Sequence, residues 1–107
     1  MSEKQDIQDP VRDTLKWHGF LVIRVNSGRR GGVWFCLWYV IGLTAQTTGI
    51  SDLVGIAPNG RFFAVEIKIP GKKRSDAQIC FQDEIGKRGG LIAVVDDARW
   101  SPPEDWL

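Results

Sequence analysis

Apolar residues recur every four positions at Ile7, Val11 and Leu15, which predicts an amphipathic helix over residues 3–18, closed by Gly19. Pro10 falls inside this span; it either begins the helix, with Asp9 as its cap, or sits within a longer one. Residues 20–25 read as a short strand and 26–32 as a Gly- and Arg-rich loop. The aromatic and β-branched run 33–41, with Trp34, Trp38 and Tyr39, predicts a second strand, and the polar stretch 42–49 a flexible loop. Residues 50–57 and 61–69 form the clearest hairpin signal, two apolar runs joined by Pro58-Asn59-Gly60 and stopped by Pro70 and Gly71. Ala77, Phe81 and Ile85 mark one face of a helix over 75–87, ended by Gly89 and Gly90. The unbroken apolar run 91–95 reads as a fully buried strand. Ser101-Pro102-Pro103-Glu104 opens a last helical turn that would dock Trp106 and Leu107. This order of helix, strands, helix and strand predicts an α/β fold, a mixed sheet flanked by helices.

A chain of 107 residues suits a single domain, and with 43% hydrophobic and 25% charged residues disorder is not the default reading. Cys36 and Cys80 are far apart and His18 is the sole histidine, so no Cys/His zinc cage can form; two reduced thiols fit a cytoplasmic protein. The polar N-terminus argues against a secretory signal, and the apolar stretch is shorter than the ~20 residues of a membrane helix. A net charge of +1 gives no global field for nucleic acid. The basic residues nevertheless cluster: Arg24, Arg29 and Arg30, then Lys68, Lys72, Lys73 and Arg74, then Lys87 and Arg88. Each cluster is either solvated surface or a phosphate contact. Acids that hold a cation and bases that hold phosphate would also sum to nearly zero.

Alternation along the strand after the turn puts Val65, Ile67 and Ile69 on one face, and Ala64, Glu66 and Lys68 on the other. Taken alone, Glu66 and Lys68 read as the solvent side of an amphipathic strand. The turn changes this. Pro58 has no N–H for a two-residue loop pairing. A three-residue loop, Pro58 first and Gly60 left-handed, pairs Ala57 with Arg61 and sets Asp52 opposite Glu66. Directly opposed side chains have Cβ atoms roughly 5 Å apart, and two such carboxylates repel unless a positive charge lies between them. A hard divalent cation such as Mg²⁺ suits one or two carboxylates and several waters. With Lys68 beside it, the group fits phosphodiester hydrolysis. His18 reads as a helix-end residue.

Asp52 followed by Glu66-Ile67-Lys68 resembles the PD-(D/E)XK nucleases. More of the chain resembles the virus-type replication–repair nuclease (VRR-NUC) domain: Gly49-Ile50-Ser51-Asp52-Leu53-Val54-Gly55-Ile56, Asn59-Gly60-Arg61-Phe62, Gln78, Gly89-Gly90 before an apolar strand, the first helix, and Arg24-Val25-Asn26-Ser27-Gly28. The resemblance implies a restriction-endonuclease-like fold and dependence on Mg²⁺ or Mn²⁺. It implies that Asp52, Glu66 and the backbone carbonyl of Ile67 bind the metal, that Lys68 lies beside the nucleophile, and that Gln78 reaches the site. It further implies a homodimer cutting branched DNA, four-way junctions included.

Ser51 stands where the wider superfamily has proline. The family also carries an acid on the first helix, for which Glu3 and Asp6 are the candidates; Glu3 shares the Ile7–Val11 face and is preferred. Ser75-Asp76-Ala77-Gln78 is at the same time a capping box, a structural role that competes with the catalytic one for Gln78 or coexists with it. Arg24, Arg29, Arg30, Lys72, Lys73 and Arg74 are the expected DNA contacts, and the aromatic stretch is either a dimer interface or core. Nicking, flap- or end-directed cutting, restriction-type cutting and DNA binding without catalysis are the alternatives.

Overall fold

The computed structural model describes residues 3–25 and 50–107. The expected loop 26–32, aromatic strand 33–41 and loop 42–49 lie outside the described residues, as do Arg29 and Arg30. Helix α1 (Glu3–Trp17) leads into β1 (Leu21–Arg24), β2 (Leu53–Ile56) and β3 (Phe62–Ile67), followed by helix α2 (Asp76–Lys87), β4 (Leu91–Val95) and a 3₁₀ turn (Glu104–Trp106). The strands order as β1-β2-β3-β4, antiparallel from β1 to β3 and parallel between β3 and β4, with α2 as the crossover. No helix among the described residues is long and apolar enough to cross a membrane.

Period-2 alternation divides the strands between two cores. Phe63, Val65 and Ile67 of β3, with Leu53, Leu91 and Val95, pack under Ile7, Val11 and Leu15 of α1. Val54 and Ala64 instead meet Phe81 of α2, with Phe62 and Ile85 at the margin. Truncating a residue such as Leu15, which has no exposed surface, typically costs about 2–5 kcal/mol. Pro10 lies inside α1, exposed, where its missing N–H removes one helical bond.

The hairpin turn has the expected three-residue geometry. The Ala57 N–H donates to Arg61 O at 2.8 Å, and the Gly60 N–H to Ala57 O at 2.8 Å. Gly60 has φ +88°, the left-handed conformation glycine adopts without a Cβ penalty. This turn fixes the register Leu53↔Val65 through Ile56↔Phe62, which continued one step pairs Asp52 with Glu66.

Two expectations need correction. β4 is not fully buried: Leu91 and Val95 are, but Val94 is 46% exposed, because it points to the α2 face where it lines an open cleft. The last turn docks Trp106 against Phe20, Phe63 and Trp100, whereas Leu107 stays exposed.

Candidate active site

Asp52 stands just ahead of β2, where its backbone carbonyl accepts from the Val25 N–H at 2.9 Å. Its Oδ2 accepts from the Ile67 N–H at 2.8 Å, so the side chain reaches across to the end of β3. Its Oδ1 pairs with Lys4 Nζ of α1 at 2.8 Å. Across the register, Glu66 is 1% exposed. Its Oε2 accepts from Gln78 Nε2 at 3.1 Å, while its Oε1 is buried without a hydrogen-bond partner among the described residues.

Burial raises the Glu66 pKa to about 8 from an ordinary 4.5; the neighbouring Asp52 charge and a hydrogen bond with Asp52 add to the rise, and Lys4 and Lys68 oppose it. A proton on Glu66 can thus be donated to Asp52. With both ionised neither can donate to the other, and Oε1 is left buried with no donor among the described residues. A buried carboxylate oxygen in that position costs free energy until a cation or a proton arrives.

Gln78 closes the capping box and also reaches Glu66. Its Oε1 accepts from the Ser75 N–H at 2.8 Å and the Ser75 Oγ accepts from the Gln78 N–H at 3.1 Å, completing the capping box. The Oε1 being engaged by a donor, the amide must present Nε2 to Glu66. Helix capping and carboxylate orientation are therefore one arrangement.

Lys68, two residues beyond Glu66, opens onto a cleft of about 430 Å³ that it lines together with Lys72, Lys73, Arg74, Ile79 and Val94. The fold therefore gathers three of the basic residues expected to contact DNA beside the lysine of the Glu-x-Lys motif. Arg24 lies elsewhere: it pairs with Leu53 on β1, hence on the α1 face of the sheet, and its Nε is buried with no partner among the described residues. Glu3 is exposed in the first turn of α1 and does not join the carboxylates. Among the described residues no three or more His, Cys, Asp or Glu side chains come together as a metal cluster.

Two residues of the site were not anticipated. Lys4, not Glu3, is what α1 delivers to Asp52. Gln82 is 1% exposed on α2, accepting from Arg74 Nη1 at 2.5 Å and donating to Ser51 Oγ at 3.4 Å. The signal for Gln82 was its position one helical turn after Gln78, on the same side of the helix. Lys4 carried no such signal, since its pairing depends on where α1 docks.

The donor set fits a divalent cation of the Mg²⁺ class. Two adjacent carboxylates, one with an orphaned buried oxygen, offer hard oxygen ligands, and such ions complete their shell with water. Asp52 and Glu66 are the residues that would hold it.

The mixed four-stranded sheet, with α1 on one face and α2 crossing on the other, defines a restriction-endonuclease-like α/β fold. A solved structure described as a VRR_NUC domain superposes with a TM-score of 0.64 and 22% sequence identity, covering 92% of this chain and 89% of the other. The fold is thus that of a VRR-NUC domain. No family model matches the sequence, and no curated protein matches it.

Proposed function

We propose that this chain is a Mg²⁺- or Mn²⁺-dependent endodeoxyribonuclease of the PD-(D/E)XK type. The observation that carries the reading is the buried Oε1 of Glu66 beside Asp52, without a partner among the described residues, two residues before Lys68, which lines a cleft with Lys72, Lys73 and Arg74. The VRR-NUC fold supports it.

The bound cation would polarise the phosphate and lower the pKa of a water. Asp52 and Glu66 hold that position, Asp52 fixed by the Ile67 N–H and Glu66 by Gln78. Lys68 places an ammonium where negative charge builds on the phosphate and orients the attacking water. Lys72, Lys73 and Arg74 seat the flanking phosphates. Hydrolysis forms one phosphorus–oxygen bond to water and breaks another to a sugar oxygen, which leaves with a proton from solvent.

The favoured substrate is branched DNA such as a four-way junction. Symmetric cutting there requires two sites, and hence a homodimer. Cleavage of four-way junction, flap, duplex and single-stranded DNA, each with Mg²⁺, Mn²⁺ or chelator, tests both parts. Preferential metal-dependent junction cutting is expected, with Lys68→Ala inactive but still binding DNA. Equal cutting of all substrates would leave a nuclease without branch selectivity. Activity retained in chelator or in Lys68→Ala would overturn the mechanism.

A further inference from the structure

We propose that Gln82 is a positioning residue that holds Arg74 in place as a fixed phosphate clamp at the rim of the Lys68 cleft. The inference deepens the nuclease reading and rests on it in taking DNA phosphate as what Arg74 meets. Gln82 lies between apolar neighbours on the buried side of α2, where Phe81 and Ile85 pack against Val54 and Ala64. An apolar side chain there would satisfy packing alone, and a buried amide is costly unless both its ends are bonded. Both are: Oε1 takes Arg74 Nη1 at 2.5 Å, and Nε2 reaches Ser51 Oγ at 3.4 Å. Ser51 has no exposed surface and is the residue immediately before Asp52. The bonds therefore run from the segment just ahead of β2 that carries Asp52, through the helix, to a guanidinium lining the cleft.

The consequence is selective. Lys72 and Lys73 are exposed on the same rim, whereas Arg74 is half-buried and tethered. A guanidinium has five donors in a rigid fork, so one bond to Gln82 leaves the rest free for a phosphate. Immobilising such a side chain before DNA arrives removes an ordering cost that binding would otherwise bear. By the usual cost of ordering one long side chain, losing the tether should weaken DNA binding roughly three- to ten-fold.

The test is a double-mutant cycle on affinity for a short fluorescent DNA duplex, with chelator present so that no strand is cut. Gln82→Leu should lose three- to ten-fold, as estimated from that ordering cost, in the wild-type background and nothing further in an Arg74→Ala background. Gln82→Glu, which still accepts from Arg74, should restore wild-type affinity. Thermal unfolding of each variant confirms that it folds. An equal loss in both backgrounds, no loss at all, or failure of Glu to rescue would overturn the inference. Wild-type cleavage in magnesium separates the two readings. An inert wild type that still shows the Arg74–Gln82 coupling overturns the nuclease reading and supports this one. A cutting wild type without coupling does the reverse.

Discussion

Glu66 is held where it wants a proton or a cation, and this should dominate the pH dependence of the metal-free protein. Its folded pKa, about 8, lies above the ordinary 4.5 of the unfolded chain. Its contribution to stability is therefore fully present below about pH 4.5 and is lost as pH rises through 8, by at most about 1.4 kcal/mol per pH unit. In chelator, the melting temperature of wild type should fall across that window relative to Glu66→Gln, which has no proton to lose. Magnesium should restore it, because a cation replaces the proton, and metal affinity should itself rise with pH up to about 8. Parallel melting curves for wild type and Glu66→Gln from pH 5 to pH 9 would show the relation to be wrong. The neighbouring Lys4–Asp52 pair, half exposed at the lysine, acts as counter-charge on the other carboxylate.

Among the elements, α2 is distinctive in that its cap and its functional face share a residue. Ser75→Ala removes one capping bond and should cost about 1 kcal/mol in denaturant unfolding, while leaving the Gln78–Glu66 contact in place. Gln78→Ala removes its half of the cap and the Glu66 contact together. It should therefore lower kcat well beyond Ser75→Ala at similar stability. Equal kcat losses in the two variants would reduce Gln78 to a capping residue. In the sheet, β1 and β2 approach closely at Gly55. An added Cβ there would stand 1.8 Å from the Leu21 carbonyl oxygen and 3.0 Å from Phe63 Cε1. Gly55→Ala must push the strands apart, and a loss of about 3 kcal/mol or more is expected in equilibrium unfolding.

At the scale of the whole molecule, charge is arranged rather than accumulated. A net charge of +1 coexists with four cationic side chains around one cleft. DNA affinity should accordingly fall steeply with salt despite the near-neutral total. Lys72→Ala and Lys73→Ala should each reduce the slope of log K against log salt by about 0.9. A slope unchanged in both variants would move the DNA to another face. Concentration-dependent mass measurement decides whether the proposed homodimer forms.

The hairpin and the register that opposes its two acids were legible in the sequence because they are local. Pro58 cannot donate, Gly60 can turn left-handed, and a three-residue loop then places Asp52 opposite Glu66 by counting alone. The helices were legible for the same reason, since a buried stripe at Ile7, Val11 and Leu15, or a Ser75–Gln78 cap, depends only on neighbours in the chain. What crosses from one element to another was not. Only docking of α1 sets Lys4 rather than Glu3 at Asp52. Only the packing of α2 on the sheet puts Gln78 on Glu66 and threads Gln82 between Arg74 and Ser51. Only the gathering of β4 beside Lys68 turns an apolar run into one wall of an open cleft. Periodicity and turn chemistry specify the direction in which a side chain leaves its own backbone, and the partner it meets there is set by the angle and depth at which the elements pack.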